Sequence, residues 1–300
     1  MHLTSQQEER FIPVTTDGQR LDQIITQLTN TQKKIQQDEK NYYDKEKDQQ
    51  IIDQYYQNIN FKNPGNEKLV QALQQLLTET HTNQLDYDPS EYVYPWVDLR
   101  PDGSLASVYS GIKRQAEEVL REDYETSLKR KEQMKKVPDD EQKESRLRQI
   151  EADFKYNCEH AVPQSWFNER KPMRGDLHHL FTCEPACNST RSNYPYHDFA
   201  DYKPKNQSEA ACGKADEELF EPAHAKGAVA RAMLYFLIRY PDEIEKSHLK
   251  GIDTNLLFDW HQKFPPTLYE KHRNLAIYNI QGNRNPFIDF PEKMRVCSLK

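Results

Sequence analysis

At 300 residues the chain can bury one core plus an accessory region, yet 30% of it is charged and its mean hydropathy is −1.01, so part is expected to lie extended. No apolar run approaches the length of a membrane span, which excludes a transmembrane helix. The formal net charge of −7 has the wrong sign for bulk attraction to nucleic acid, so any such binding needs local positive charge.

Residues 1–64 are rich in Gln, Asn, Asp and Lys. Leu21, Leu28, Ile35 and Tyr42 recur every seven residues, while polar Gln32 and Glu39 take alternate seam positions. Half a heptad pattern predicts an amphipathic helix that packs on the rest of the chain, on a protein partner or on a second copy, rather than a stable coiled coil. Asn63-Pro64-Gly65-Asn66 breaks it, giving a polar helical extension over 1–64 and a second domain over 65–300. Leu69, Val70, Leu73, Leu76 and Leu77 describe one buried helical face. From Tyr92 to Ser110 aromatic and polar residues alternate, which predicts strands around a Pro101-Asp102-Gly103 turn. The charged stretch from Gly111 to Ile150 predicts exposed helices or a linker, broken near Pro138.

Polar chemistry is concentrated between Asn157 and Asn193. Cys158 to Pro163 reads as a short extended segment, Arg170 to Gly175 as a basic turn, Asp176 to Phe181 as a second extended segment, and Asn188 as the start of a helix. Such a β-β-α hairpin would gather Glu159, His160 and Asn188. Neighbours on an ideal strand point to opposite faces, so Glu159 and His160 share a pocket only at a strand end, bulge or twist. Hydrolysis of a phosphodiester needs an activated water and neutralisation of the charge that builds on the phosphate. His160 is suited to take the proton, and Glu159 and Asn188 are hard oxygen ligands adequate for Mg²⁺.

Further on, Val229, Ala232, Met233, Phe236 and Leu237 recur at helical spacing up to Arg239-Tyr240-Pro241, and Leu256, Leu257, Phe258 and Trp260 begin another helix before Pro265-Pro266. Gln281 to Phe287 has turn chemistry that fixes the C-terminal segment, with Arg284 a candidate phosphate contact. A basic face could assemble from Arg170, Lys171, Arg174 and Arg191 together with Lys271, Arg273, Arg284, Lys293 and Arg295.

Four motifs carry a resemblance to a known family: Asn157-Cys158-Glu159-His160-Ala161-Val162-Pro163-Gln164-Ser165-Trp166-Phe167, Asp176-Leu177-His178-His179-Leu180, Asn188-Ser189-Thr190-Arg191-Ser192-Asn193-Tyr194, and Gln281 to Phe287. Together, and more loosely with Trp96 to Gly103 and Val108 to Gly111, they resemble the bacterial endonuclease I family over roughly residues 66–295. The resemblance implies a mainly helical α+β fold around a small ββα-metal, His-Me finger motif. It implies a non-specific endonuclease of DNA, RNA or both that leaves 5′-phosphate ends. The position of His160 would be the general base, and those of Glu159 and Asn188 would hold the divalent metal, Mg²⁺ with Mn²⁺ or Ca²⁺ as substitutes. A phosphate-clamping arginine follows the first strand in relatives, and Arg170 and Arg174 are its candidates here. Many relatives are secreted and disulfide-bonded. A native start at Met1 would favour the cytoplasm, and a removed signal peptide the periplasm or the exterior.

The remaining polar residues have structural readings beside functional ones. Asn188 could be a helix N-cap as well as a ligand. Asp176 and His178 could orient the site from behind or satisfy backbone groups, and His179 reads as structural or substrate-facing. Arg191 could bind phosphate near a helix start or form a surface ion pair. Cys158, Cys183, Cys187 and Cys212 suggest a rival, a catalytically inactive nucleic-acid-binding or zinc-stabilised interaction protein, with a Cys183–Cys187 link as a further alternative.

Overall fold

In the computed structural model, which describes residues 3–62, 66–203 and 212–296, helices surround three antiparallel two-stranded sheets. The Asn63-Pro64-Gly65 break lies outside these residues. Helix α1 (Ser5–Phe11) begins with a capping box between Thr4 and Gln7. Asp17 caps α2 (Gly18–Gln37), whose buried stripe is Leu21, Ile24, Leu28 and Ile35. With Tyr42, this stripe packs on Val93, Tyr94 and Leu99 and on Cys158 and Leu180 of the central hairpin. The amphipathic face is therefore covered by the chain itself. Helix α3 (Lys45–Tyr55) sends Ile52 into a second core, joined there by Tyr56 and by Leu69, Leu73 and Leu77 of α4 (Asn66–Thr80).

The expected strand from Tyr92 is helical instead. Asp88 caps α5 (Pro89–Tyr92), Pro89 opens it, and a π-turn continues over Val93–Val97, closed by the Asp98 N–H on the Val93 carbonyl at 2.8 Å. Val93, Tyr94 and Val97 all point inward, so burial on two neighbouring positions and a third four residues on overrides the β-prone alternation. Only β1 (Ser104–Ala106) remains as strand, paired with β2 (Lys113–Gln115), and Gly103 takes a φ of 77° in the turn before it.

Helices α6 (Ala116–Met134) and α7 (Lys143–Asp153) follow. The inner face of α6 carries Asp123, Ser127 and Arg130, all buried, which is why its sequence resembles a solvated helix. Asp123 accepts from the Tyr94 hydroxyl (2.6 Å) and the Asn157 N–H (2.9 Å), and Arg130 donates to the Phe11 (2.8 Å) and Phe154 (2.6 Å) carbonyls.

The central hairpin pairs β3 (Cys158–His160) with β4 (Leu180–Thr182), Cys158 opposite Thr182 and His160 opposite Leu180. It is wedged between the two cores, with Cys158 and Leu180 in one and Phe181 and Ala161 in the other. Helix α8 (Pro185–Arg191) comes next, and a disulfide from Cys187 to Cys212 ties it to the hairpin of β5 (Gly213–Asp216) and β6 (Leu219–Pro222). Helix α9 (Lys226–Arg239) is buried from Gly227 to its end. After α10 (Lys246–Leu249), α11 (Thr254–Lys263) packs along α9. A capping box at Thr267 starts α12 (Leu268–Gln281), Gly282 ends it at a φ of 96°, and α13 (Pro286–Asp289) closes the core.

Candidate active site

Strand β3 stops at His160, where the Ala161 N–H makes a last bond to the His179 carbonyl at 2.8 Å before the chain turns at Pro163. That strand end lets Glu159 and His160 line one cleft of about 330 Å³, and Asn188 is part of the same lining. Asn188 lies within α8 rather than at its start, which is Pro185. Its amide nitrogen donates to the Cys158 carbonyl at 2.8 Å, an arrangement that assigns the amide orientation and leaves Oδ1 as an acceptor for the cleft.

Two groups converge on one oxygen of Glu159. The Tyr109 hydroxyl donates to Oε1 at 2.7 Å, and the Arg191 Nε stands 3.4 Å from the same atom. Tyr109 is in turn 2.8 Å from the Tyr196 hydroxyl. Burial pushes the Glu159 carboxyl up to about 7, against the lowering effect of Arg191 and Tyr109.

His160 is held from behind. Its Nε2 lies 3.0 Å from the Arg174 carbonyl, and because a carbonyl only accepts, Nε2 carries the proton and Nδ1 keeps its lone pair. Burial, with His179 adding to it, holds the ring well below the ordinary histidine range, so the free imidazole is neutral and basic at Nδ1. Tyr87 and His179 flank the ring at centroid distances of 4.7 and 5.4 Å.

Asp176 and His178 sit farther back. Asp176 is fully buried and accepts from the Tyr235 and Tyr240 hydroxyls, the Gln281 amide and the His178 N–H at 2.8–3.0 Å. Burial raises its carboxyl, but His81, His178 and His179 together with the Gln281 amide bring it below the usual carboxylate range. It anchors the turn into β4. His178 packs on Tyr235, with Nε2 3.3 Å from the Asn283 carbonyl. The histidine against His160 is His179.

The arginines depart most from expectation. Arg284 is not a phosphate contact but a core residue, 0% exposed and paired with Asp48 and Asp289. Arg273 is also buried, bonded to the Leu177 and Leu180 carbonyls and paired with Asp98. Arg191 ends α8 instead of standing near its start, and it donates to the Ala161 carbonyl at 2.8 Å. Arg174 is buried with its guanidinium on the Arg10 carbonyl and the Gln164 side chain. Arg170 stays half-exposed beside Glu243, and the Arg295 side chain lies outside the described residues. The expected basic face thus loses Arg174, Arg191, Arg273 and Arg284 to the interior. A groove of about 690 Å³ beside the cleft of Glu159 and His160 is instead lined by Arg10, Arg148, Arg170, Lys171 and Arg174 together with Glu9 and Glu169, which pair respectively with Lys171 and with Arg10 and Arg148. Cys187 is taken up by its disulfide with Cys212, so it offers no thiolate to a zinc ion, and no Cys183–Cys187 link forms.

A family model described as Endonuclease I matches residues 65–292. The chain belongs to the endonuclease I family. It is 34% identical over 154 residues to an extracellular ribonuclease of Bacillus amyloliquefaciens, covering 46% of this chain and 52% of that one. A periplasmic deoxyribonuclease of Aeromonas hydrophila is 32% identical over 126 residues, 40% of this chain and 50% of the relative. Endonuclease-1 of Buchnera aphidicola (subsp. Baizongia pistaciae) is 31% identical over 135 residues, 44% and 51% of the two chains. This endonuclease I family chain therefore spans about half the length of the curated relatives it matches.

The donors of the family's cleft suit a hard cation. Glu159 and Asn188 present a carboxylate and an amide oxygen with room for waters beside them, and a cation there would offset the charge that burial disfavours on Glu159. Cys158 also lines the cleft, but burial pushes its thiol well above the ordinary range, so it is no thiolate ligand. Sequence reading missed Tyr109, although it sits in the quoted Val108 to Gly111 motif. A lone tyrosine carries no signal of which carboxylate it will meet.

Proposed function

We propose that this chain is a metal-dependent, non-specific endonuclease that hydrolyses phosphodiester bonds of DNA, RNA or both and leaves 5′-phosphate ends. The observation that carries the reading is the meeting of the Glu159 carboxylate, the basic Nδ1 of His160 and the Asn188 amide oxygen in one cleft. Glu159 and Asn188 would hold Mg²⁺. Once bound, the ion supplies neutralisation of charge on the scissile phosphate and its leaving oxygen. His160 takes the proton of the attacking water at Nδ1, oriented by the Arg174 carbonyl. Tyr109 and Arg191 hold Oε1 of Glu159, which leaves Oε2 for the ion. Arg170, with Arg148 and Lys171, would carry the phosphates that flank the cut along the adjoining groove, which Arg174 supports from beneath through its bonds to the Arg10 carbonyl and Gln164. Arg191 acts from inside as a positioning charge.

The extracellular and periplasmic names of the relatives and the Cys187–Cys212 disulfide support an oxidising compartment outside the cytoplasm. The deciding experiment incubates supercoiled plasmid and structured RNA with the protein in Mg²⁺ or in EDTA. Cleavage in Mg²⁺ alone is the expected result, and the preferred polymer is read in the same assay. Intact plasmid and RNA beside an active control nuclease would overturn the proposal.

A further inference from the structure

A second cleft, about 1200 Å³ against about 330 Å³ for the catalytic one, opens behind the segment from Ala106 to Gly111. Val108 and Ser110 line it, while Tyr109 between them turns the other way to reach Glu159. Two cations of the cleft, Arg100 and Lys263, have no ion-paired or hydrogen-bonded side-chain acceptor among the described residues, although the Lys263 charge acts on Asp198 across the cleft. Arg100 lies 3.9 Å above the Tyr269 ring, its Nε is buried without a hydrogen-bond partner, and its side chain has no ion pair among the described residues. By contrast, Arg231 on the same wall is matched to Glu270 at 2.6 Å, and Lys226 to Asp198 and Glu221. Lys263, at the end of α11, likewise has no ion pair among the described residues and stands 5.6 Å from the Phe264 ring. The buried Nε is out of reach of a ligand, so an acceptor arriving from outside would meet the terminal nitrogens of the guanidinium.

The apolar part of the lining is aromatic. Phe264 is 38% exposed, one of only three large hydrophobic side chains so exposed among the described residues, and Phe199 and Tyr202 also face the cleft half-buried. Unmatched cations beside open rings are the combination that takes a phosphate and a stacked base, with little regard to sequence. We infer that this cleft binds single-stranded nucleic acid or its nucleotide unit, with phosphate on Arg100 and Lys263 and base against Phe264. It shares no side chain with the hydrolytic cleft, so the inference goes beyond the proposed hydrolysis and does not depend on it.

The test uses the full chain in EDTA with a fluorescein-labelled oligothymidylate of about ten nucleotides, within the usual span of one strand-binding site. Arg100→Gln is expected to weaken binding roughly tenfold, as loss of one charge-assisted contact does, and to lower the slope against log salt by about 0.7. Lys263→Gln should lower the slope similarly, and Phe264→Ala should weaken binding without changing it. Cleavage of bis(p-nitrophenyl) phosphate in Mg²⁺ should stay at the wild-type rate in all three, and absence of that cleavage in the wild type would count against the nuclease reading alone. Displacement of the oligomer by thymidine 5′-phosphate would identify a free-nucleotide site, and failure to displace it a strand site; either sustains the inference. Wild-type affinity and salt slope in the variants would overturn it. Should Arg100→Gln fail to fold by thermal melting, the exposed Lys263 and Phe264 variants decide.

Discussion

In the proposed reaction His160 and Glu159 take different parts, set by their surroundings. Replacement His160→Ala should lower kcat by roughly 10² to 10⁴-fold, the usual contribution of a positioned base, with Mg²⁺ affinity unchanged by calorimetry. A matching loss of Mg²⁺ affinity would show that the ring builds the site rather than taking the proton. Glu159 gives a pH dependence with a definite sign. Its carboxyl sits at about 7, so below that pH the neutral form dominates and cannot ligate. Apparent Mg²⁺ affinity should therefore fall about tenfold per pH unit as pH drops below 7 and level off above it. An affinity flat from pH 5 to 8 would refute the raised carboxyl.

At the scale of elements, the short turn from Met173 to Gly175 sets the tautomer of His160, because the Arg174 carbonyl accepts a hydrogen bond from its Nε2–H. Gly175 is the tight point of that turn, where an added Cβ would come within 2.0 Å of the Leu85 carbonyl oxygen. Gly175→Ala should cost about 3 kcal/mol by urea titration, since backbone must move to make room. Tyr235→Phe tests the neighbouring anchor by removing one donor from Asp176 and should cost about 1–2 kcal/mol. The pairing of β3 with β4 follows from local pattern: two short extended segments, a proline after the first and a basic turn between them. The helical conformation of Tyr92 to Val97 was not legible, because its alternation fits a strand as well, and only the two walls around Val93 and Tyr94 decide between them.

Across the whole molecule, N-terminal and C-terminal segments share the same interior. Arg284 joins Asp48 of α3 to Asp289 of α13, and the stripe of α2 lies on the core that backs the central hairpin. Arg284→Met should leave two buried carboxylates without their cation and cost about 3–5 kcal/mol, and calorimetry should show one cooperative transition in wild type. Two separate transitions would instead support an independent extension over 1–64. The sequence by itself determined the order of the chemical groups: Glu159, His160 and Asn188 fall within one hairpin and the helix after it, so short-range folding alone can assemble them. It also determined the buried stripes of α2 and α4, because helical periodicity is written in apolar spacing. Only the tertiary structure decided which arginines are interior and which face a cleft. A buried guanidinium is stabilised by partners from remote segments, as Arg284 is by Asp48 and Arg174 by the Arg10 carbonyl, and no local pattern announces them. For the same reason Arg100 reads in sequence like any other arginine, and only the packing of the described residues shows its Nε buried without a hydrogen-bond partner among them.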